Sequence, residues 1–584
     1  MKQQIADRIS KNLENFFKEK GISPEINPTR PPDPSKGDYT LNLAMPLGKV
    51  LKKPPLLIAE TIAEILAEDK KTFESVEAVK PGFINMRLAN SFLEDQFDSF
   101  VSSPSLLEAS KSETPKRVIV DYSSVNIAKQ MHVGHLRSTI IGDVIARIIE
   151  SLGDKVIAQN HLGDWGVPMA MVIRKAESAI DKAIAENQNP EDVLDTPMLE
   201  AFYKEATAEC KSDPVEAAAC HDYLIRLQNQ EQKLIDYWQI IKKVSMRDVY
   251  KIYKLLGVRL EPENERGESF YADMLPEIVE KIQQKGLIEI SDGAKCVFLD
   301  EFKAKDGTPL PVIIQKSDGG YNYATFDLTA LHYRTNTLKA DRIIYVTDAR
   351  QALHFKQVFA VARKAGLVPE KVMLEHVTFG SILGEDNKPL KTRDGENVKL
   401  AELLDEAIKA AYQVVDDKNN TLPEEYKQQV AKMTGIGAVK YADMAQNRNN
   451  DYVFSFERML ALSGNTAPYL QYAHARICSI FRKTDFIPSD AKVIISAPEE
   501  KELILKAMEF PLTVKTVSED LKPHTLCAYL YDLSTLFSSF YTNCRILDCE
   551  NENQKHSRLA LSRAIQRIIK KGLGLLGIEA PEEM

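Results

Sequence analysis

The sequence predicts an α/β protein built around a doubly wound parallel sheet, with a small α/β domain before the sheet and an all-helical bundle after it. Three observations support this fold class. The chain has 584 residues, which is too many for a single hydrophobic core. Between residues 117 and 399, apolar segments of strand character alternate with helical segments, as in parallel βαβ units. After about residue 400 strand signals vanish, and amphipathic helices continue to the end.

Residues 1–110 form the predicted N-terminal domain. It opens with an amphipathic helix, because Ile5, Ile9 and Leu13 recur at helical spacing. A proline-rich loop follows, and the last predicted strand ends near residue 87. The polar stretch 108–116 predicts a linker to the next domain.

Residues 111–395 form the predicted central domain, a Rossmann-type sheet with helices on both faces. Six segments have the character of buried strands: 117–122, 156–160, 297–299, 312–315, 342–346 and 376–379. The interval from about 172 to 250 is polar and helical. We interpret it as an insertion between the two halves of the nucleotide-binding fold.

The rest of the chain is predicted to be helical, with a connector at 396–455 and a bundle at 456–584. Near the end, the basic residues Arg558, Arg563, Arg567 and Lys570 recur along one helix, the last three on one face. Such residues contact RNA phosphates or simply form a solvated helix face, and the spacing alone leaves both interpretations open.

Composition limits the functional classes. The net charge of −9 argues against a protein that coats nucleic acid without specificity, although it allows binding through a local basic patch. Seven cysteines occur without a Cys-x-x-Cys pair, which indicates reduced thiols in the cytoplasm and no structural zinc. No apolar run reaches membrane-spanning length, and the first residues lack the apolar core of a signal peptide.

The most informative motif is His132-Val-Gly-His135, which lies between an apolar strand and an apolar helix. This order places both imidazoles and Gly134 at a helix N-terminus, where unpaired N–H groups and the helix dipole favour anions. The imidazoles can donate hydrogen bonds to oxygens that gain charge during a reaction. The motif therefore predicts nucleotide binding with chemistry at a phosphate. The alternative is a pair of surface histidines that cap an ordinary helix.

Further motifs give the chain a resemblance to the class I aminoacyl-tRNA synthetases, and among them to the arginyl-tRNA synthetases. They span nearly the whole chain in the family's order: GDYTLN (37–42), NIAKQMHVGHLRST (126–139), NHLGDWG (160–166), GESFY (267–271), YATFD (323–327), YVTDARQ (345–351), FGSILG (379–384), KTRDG (391–395) and GNTAPYLQYAHAR (464–476). Several motifs in one order are far more specific than one tetrad.

The resemblance implies a two-step reaction. L-Arginine and ATP give arginyl-adenylate and pyrophosphate, and the arginyl group then passes to the 3′ end of tRNA(Arg). His132 and His135 are expected to stabilise charge on the phosphate oxygens, and Gly134 is expected to lie under the adenine. A magnesium ion is expected to accompany ATP, held mainly by its phosphates.

One departure from the class I pattern concerns the mobile Lys-Met-Ser-Lys-Ser loop, which this chain lacks. The resemblance implies that Lys129 supplies the missing charge to the ATP phosphates. Lys391 and Arg393, in the equivalent segment, are further candidates for ATP binding. A solvated basic turn is the alternative for that segment.

The amino acid site must accept a planar guanidinium, which offers five donors in a fixed fork. By resemblance, Asp121 and Asp327 pair with arginine, Tyr323 and Gln351 line the pocket, and Asn126 contacts the amino acid. Without the resemblance, an aspartate at a strand end such as Asp121 is more often a helix cap or a surface residue.

The family pattern also implies that residues 1–110 bind tRNA, that 396–455 contacts its stem, and that the bundle binds the anticodon, with Arg558, Arg563, Arg567 and Lys570 on phosphates. The protein is expected to be a cytoplasmic monomer. Two other hypotheses remain for comparison. One is a small-molecule nucleotidyltransferase, which usually has the tetrad near its N-terminus. The other is a tRNA-binding protein that has lost catalysis, although the residues of the tetrad and Lys129 are intact.

Overall fold

The computed structural model describes residues 1–391, 397–418, 420–485 and 491–584. Its N-terminal part is a small α/β domain with a three-stranded antiparallel sheet in the order β1–β3–β2. The helices lie over this sheet and bury Ile5, Ile9 and Ile62 against it. The elements are α1 (Lys2–Asn12), α2 (Glu14–Lys20), β1 (Tyr39–Leu41), α3 (Ala44–Leu51), α4 (Pro55–Ala67), β2 (Phe73–Val79), β3 (Phe83–Leu88) and α5 (Asn90–Ser102).

The central domain begins with a βαβ unit and continues into a helical segment. The unit is β4 (Arg117–Asp121), α6 (Val133–Ser151) and β5 (Lys155–Gln159). The helical segment contains α7 (Val167–Ala185), α8 (Pro190–Val193), α9 (Thr196–Ser212), α10 (Pro214–Gln228) and α11 (Gln232–Leu256). Its long helices pack on one another, and residues from α7 and α11 join the core below α6.

The second half of the domain completes the parallel sheet. Its elements are α12 (Glu268–Tyr271), α13 (Leu275–Gln284), β6 (Glu289–Ser291), β7 (Ala294–Val297), β8 (Val312–Gln315), α14 (Tyr323–Asn336), β9 (Arg342–Asp348), α15 (Ala352–Lys364), β10 (Met373–Phe379) and β11 (Ile382–Leu383). The main sheet has the order β10–β9–β4–β5 with all pairs parallel. The two halves therefore wind in opposite directions from the boundary between β4 and β9, where such sheets bind ligands.

Two of the six predicted strands are not in this sheet. Residues 297–299 and 312–315 were expected among the parallel strands, but Val297 ends β7 and the second segment is β8. β7 pairs antiparallel with β6 on one side and with β8 on the other. For β7, the reason is the length of its connection to β6. A parallel pair needs a crossover of a dozen or more residues, usually helical, whereas only two residues join β6 to β7.

The C-terminal part is helical, apart from one short strand. The elements are α16 (Leu400–Lys418), α17 (Glu424–Met444), β12 (Tyr452–Val453), α18 (Phe456–Met459), α19 (Ala467–Phe481), α20 (Pro498–Ala507), α21 (Phe510–Asp520), α22 (His524–Asn543) and α23 (Glu552–Leu575). β12 pairs in parallel with β11, so the expectation of no strand after residue 400 is wrong at this point. Two residues are too few to produce a recognisable alternating pattern.

Helix α6 belongs to two cores. Its residues Leu136 and Ile140 pack in the central domain, whereas Val144 and Ile148 pack with the C-terminal bundle. The helix that begins at the His132 tetrad is therefore held from both sides. No helix in the described ranges is both long and apolar enough to cross a membrane.

Candidate active site

The histidine tetrad lies at the carboxyl edge of the parallel sheet, at the start of α6. Helix α6 is fixed to the sheet through Ser138, whose hydroxyl donates to the Val346 carbonyl of β9 at 2.6 Å and accepts the Ser123 N–H at 3.0 Å. Ser123 follows β4, so one serine connects α6 to both strands at the switch point. The sequence thus brings His132 and His135 to the place where the fold class binds ligands.

The two imidazoles cap their own helix. Nδ1 of His132 accepts the Gly134 N–H at 3.0 Å, and Nδ1 of His135 accepts the His132 N–H at 3.1 Å. The ring centroids are 4.1 Å apart. Because each Nδ1 is an acceptor, each neutral ring has its proton on Nε2. Each Nε2–H is therefore the remaining donor of its ring.

Both rings are held neutral. Burial, which outweighs the charge of Glu200, lowers the pKa of His132, and Lys129 lowers it further. Burial, followed by the neighbouring His132 and Lys129, lowers the pKa of His135 to about 3. A positive charge on either ring would also destroy the Nδ1 acceptor that caps the helix. The pair is thus a set of neutral donors at physiological pH.

The helix N-terminus differs from the expectation of unpaired N–H groups. The Val133 N–H donates to the Val398 carbonyl at 3.0 Å, and the His135 N–H donates to the His132 carbonyl at 2.9 Å. With the Gly134 N–H bound to His132, the first turn is satisfied within the chain. A phosphate at this site therefore meets imidazole N–H groups rather than free backbone amides.

Gly134 is required by the ring of His132. A Cβ on Gly134 would lie 2.7 Å from Cε1 and 2.9 Å from Nδ1 of that ring. The group that comes close to the backbone of Gly134 is therefore the capping imidazole of His132. Gly134 is exposed, so its outer face is open to solvent.

The segment after residue 396 lies against the tetrad. His132 and Lys399 form an antiparallel bridge, and the Leu400 N–H donates to the Met131 carbonyl at 2.9 Å. Lys391 is exposed and forms an antiparallel bridge with Asn397. Arg393 lies outside the described residues. The chain on both sides of the expected phosphate-binding loop is thus anchored near α6.

Lys129 lies on a constrained loop between β4 and the tetrad. Ser123, Ser124 and Ala128 have φ values of 75°, 49° and 60°, a region that non-glycine residues rarely adopt. The Ala128 N–H donates to the Ser245 hydroxyl of α11 at 3.0 Å, which fixes the loop just before the lysine. Lys129 lines a cavity of about 700 Å³ and influences the pKa of both histidines.

This cavity contains some of the residues expected to bind arginine. Asn126 and Tyr323 line it, and Tyr323 is 70% exposed at the first position of α14. Asp327 lies one turn further along the same helix, where its carboxylate is 2.6 Å from Nε2 of His354. Although burial opposes the charge, the hydrogen bond and charge of Asp327 raise the pKa of His354. Gln351 is exposed after β9 and does not line the cavity.

Asp121 has a different environment from the one expected. It is 2% exposed and forms an ion pair with Arg334, which is fully buried. Nε of Arg334 also donates to Gln159 at 2.6 Å, and its guanidinium lies over the ring of Tyr345. The Asp121 carboxylate is therefore already neutralised inside the protein and does not face the cavity.

Glu268 is an acidic residue of the cavity lining for which no sequence pattern predicted a role. Burial, followed by the charges of Asp164 and Asp327, raises the pKa of Glu268 to about 8. Asp164 has its own partners, Lys242 at 3.3 Å and the Ser269 hydroxyl, and Asp327 has His354. Glu268 alone of these three lines the cavity, and no cation is among the groups that shift its pKa. Glu268 lies in the motif 267–271, which indicated the family but not the role of this residue.

The predicted basic face of the bundle is divided by the structure. Arg558 is 8% exposed and is paired with Glu500 at 2.8 Å, so it belongs to the core and not to the surface. Arg563 lies 4.0 Å from the ring centroid of Phe481. Arg567 and Lys570 are exposed, and Lys570 is 3.6 Å from Glu582.

A second surface of the bundle has the chemistry expected for unpaired bases. Tyr472 and Tyr541 are 37% and 41% exposed. The guanidinium of Arg476 lies 4.9 Å from one ring and 5.3 Å from the other. Exposed aromatic rings with an interleaved cation are typical of single-stranded RNA binding. Tyr472 and Arg476 lie in the recognised segment 464–476, whereas Tyr541 comes from another helix and only the fold brings it there.

The double winding of the sheet and the histidine tetrad are features of the class I aminoacyl-tRNA synthetases, and the family models assign the chain to that class. Residues 98–456 match the family model for the class I (R) tRNA synthetase catalytic domain. Residues 3–88 match the arginyl-tRNA synthetase N-terminal domain, and residues 470–584 match the DALR anticodon-binding domain. The chain belongs to the arginyl-tRNA synthetase family, which confirms the resemblance and the fold class predicted from the sequence.

Relatives and solved structures agree with this assignment. The chain is 43% identical over 590 residues to the arginine–tRNA ligase of Pseudomonas syringae pv. syringae, covering 100% of both chains. It is 45% identical to that of Laribacter hongkongensis over 94% of both. The arginyl-tRNA synthetase of Plasmodium falciparum superposes with a TM-score of 0.83 at 30% identity, over 100% of this chain and 99% of that one. That of Thermus thermophilus gives 0.77 at 25% identity over 100% of both.

Proposed function

We propose that this chain is an arginine–tRNA ligase that activates L-arginine with ATP and transfers the arginyl group to the 3′ end of tRNA(Arg). One observation carries the proposal. Glu268, an acid that forms no ion pair with any of the described residues, lines a cavity that also contains Lys129, and Lys129 lies near two neutral imidazoles. The cavity suits a cationic amino acid, and the imidazoles suit a phosphate that gains charge.

In the first step, the carboxylate of arginine attacks the α-phosphorus of ATP, and the bond from that phosphorus to the pyrophosphate oxygen breaks. Negative charge grows on the phosphate oxygens. His132 and His135 donate from Nε2 to these oxygens, and they are neutral donors because each Nδ1 accepts a backbone N–H. Lys129 attracts the departing phosphates. The sequence-based proposal that Gly134 lies under the adenine is retained.

Glu268 is assigned to the guanidinium of arginine, with Asp327 beside it. Tyr323 and Asn126 complete the lining, and Gln351 is retained as a contact at the cavity's edge that requires movement of its exposed side chain. Asp121 is reassigned: it holds Arg334 under the sheet edge and acts on the site only through packing. A cavity arranged for a planar fork rejects lysine, because a single ammonium leaves acceptors unpaired.

Magnesium is assigned to the nucleotide rather than to a protein site. In the described residues, no three His, Cys, Asp or Glu side chains are grouped as metal ligands. A magnesium ion held by ATP phosphates and water needs no such group. Lys391 and Arg393 are retained as candidate phosphate contacts, because the chain on both sides of them is anchored near the tetrad.

The remaining assignments concern tRNA and the cell. Residues 1–110 are assigned to tRNA binding, 111–395 to catalysis with the insertion at about 172–250, 396–455 to the tRNA stem, and 456–584 to the anticodon. Arg563, Arg567 and Lys570 are assigned to phosphates, and the cluster of Tyr472, Arg476 and Tyr541 to stacked bases. Arg558 is withdrawn from this set because it is buried. The enzyme is proposed to be a cytoplasmic monomer.

The direct test is a charging assay on bulk tRNA with each of the twenty amino acids. The proposal predicts charging with arginine and not with lysine. Pyrophosphate exchange should require tRNA, an expectation carried over from the family. Charging with another amino acid would refute the assignment of the cavity. A nucleotidyltransferase acting on a small molecule would consume ATP without charging any tRNA.

A further inference from the structure

The ammonium of Lys129 lies over an aromatic ring supplied by the helical insertion. Nζ of Lys129 is 4.4 Å from the ring centroid of Tyr203, within the distance of a cation–π contact. Both residues line the 700 Å³ cavity and both are half-buried. In the described part of the chain, no carboxylate is within ion-pair distance of Lys129.

Tyr203 is held in place by its helix. α9 begins at the N-cap Asp195, whose carboxylate accepts the Met198 N–H at 2.8 Å. Phe202 and Tyr203 then pack against the core of the central domain. The ring also lies close enough to Tyr323 to raise the pKa of that phenol, after burial and Glu268. Tyr203 therefore stands between the loop of Lys129 and the amino acid cavity.

We infer that Tyr203 is a positioning residue for the reaction, whose ring orients the Lys129 ammonium toward the phosphates near His132 and His135. A lysine side chain is a flexible four-carbon chain, so a free lysine would sample many positions. A ring reduces this sampling while leaving the N–H donors available to a phosphate. A carboxylate in the same place would neutralise the charge that the phosphates need.

This inference rests on the proposed role of Lys129, and it gives the insertion a part in catalysis. The loop before Lys129 is fixed by α11 through Ser245, and the side chain is oriented by α9 through Tyr203. Two helices of the insertion therefore control one lysine.

The test is a double-mutant cycle in arginylation with tRNA present. Tyr203→Leu should raise the KM for ATP by roughly three- to tenfold, the loss expected for one cation–π contact, and leave the KM for tRNA unchanged. Tyr203→Phe retains the ring and should behave as the wild type. In a Lys129→Ala background, Tyr203→Leu should have no further effect, because its target is absent.

Tyr223→Leu is the matched control. Tyr223 also lies under cations, Arg174 and Arg226, in the same insertion but without lining the cavity. The Tyr223→Leu variant should therefore have the same KM for ATP as the wild type. If Tyr203→Leu does not fold, Tyr203→Met restores volume without a ring and should show the same increase.

The outcomes separate the two proposals. A Lys129→Ala variant with wild-type kinetics would refute the assigned role of Lys129, and with it this inference. An impaired Lys129→Ala variant combined with an additive or absent effect of Tyr203→Leu would refute the inference alone. A tyrosine variant that loses tRNA affinity to the same extent as ATP affinity would indicate a structural role and would also overturn the inference.

Discussion

The two nitrogens of each histidine ring have different roles: Nδ1 accepts a backbone N–H, and Nε2 is left to donate. Nδ1 of each ring is used by the backbone at the start of α6, so the local structure fixes which nitrogen has the proton. The same contacts that cap the helix therefore prepare the donors. Because the pKa of His135 is lowered to about 3, protonation of this ring does not limit catalysis near neutral pH. The chemistry of the tetrad thus depends on its folding as a cap.

Glu268 makes arginine binding depend on pH. Its pKa is raised to about 8, above the ordinary 4.5, so the carboxyl is largely protonated at neutral pH when the cavity is empty. The guanidinium favours the ionised form. The KM for arginine should therefore fall as pH rises from 6.5 towards 8.5, by up to roughly tenfold per unit below the pKa. Steady-state arginylation between about pH 6.5 and 8.5 measures this pH dependence. Glu268→Gln should raise the KM for arginine and make it independent of pH in this range.

Asp273→Asn is the matched control for this measurement. Asp273 is an exposed carboxylate that lines the same cavity, and its loss should leave the pH dependence intact. A Glu268→Gln variant that kept the wild-type slope would contradict the assignment. The sign for stability is the reverse: since the folded pKa lies above the unfolded value, Glu268 lowers the free energy of unfolding as pH rises from 4.5 through 8.

The carboxylates illustrate what sequence could predict at the site. Asp121 is the last residue of β4 at the sheet edge, so its position was predictable, but its partner Arg334 is 213 residues away. Glu268 differs in that none of the described residues forms an ion pair with it. Neither fact is encoded in local spacing, because burial and pairing depend on which distant segments meet. The tetrad was predictable because strand, loop and helix are contiguous.

The His132 cap at the start of helix α6 depends on the absence of a side chain at Gly134. The ring of His132 lies over this residue, where a Cβ would be 2.7 Å from the ring. Gly134→Ala should displace the ring, remove a cap worth about 1 kcal/mol and greatly reduce arginine activation. Thermal unfolding and tRNA-dependent pyrophosphate exchange measure the two effects.

Gly574→Ala provides the comparison for this substitution. Gly574 is also helical, in α23, but nothing lies within 4 Å of the position that a Cβ would occupy there. Alanine there should be neutral or slightly stabilising, because alanine has the higher helix propensity. If Gly134→Ala retained wild-type exchange, the self-capping arrangement would not be needed for activity.

The strands of the parallel sheet were predicted correctly, whereas the pairing of β7 and β8 was not. β4 and β9 are buried in a parallel sheet, and their runs of Val and Ile are recognisable without partners. β8, with the sequence Val-Ile-Ile-Gln, has a similar composition, yet it pairs antiparallel with β7 in a separate sheet. Composition identifies a buried strand but does not specify its neighbour. The connection between β6 and β7, two residues long, contained the missing information.

The domains are joined by buried charges around α6. Nε of Arg137 lies 3.0 Å from the Asp443 carboxylate of α17, with both side chains at most 1% exposed. Nζ of Lys440 donates to the Leu256 and Gly577 carbonyls, both at 2.6 Å, which joins α11 to the end of the bundle. The helix that begins at the active site is therefore coupled to the part of the molecule assigned to tRNA.

Two arginines of the bundle should respond differently to removal. Arg476→Ala should raise the KM for tRNA by roughly tenfold with little effect on stability, because it removes a cation between exposed rings. Arg558→Ala leaves the Glu500 carboxylate buried without its counter-ion and should cost about 3–5 kcal/mol of stability, with the KM for tRNA unchanged in the folded enzyme. Filter binding and denaturant unfolding separate the two. A tRNA-specific defect in Arg558→Ala would contradict the burial of this residue.

The most direct test of the central claim is arginine-dependent pyrophosphate exchange, with tRNA present, in a His135→Asn variant. Asparagine can accept the His132 N–H and maintain the cap, but it lacks the Nε2–H donor. The account predicts that exchange falls by roughly 10²- to 10³-fold while tRNA affinity stays at the wild-type value. Exchange at the wild-type rate, or an equal loss of tRNA affinity, would contradict it.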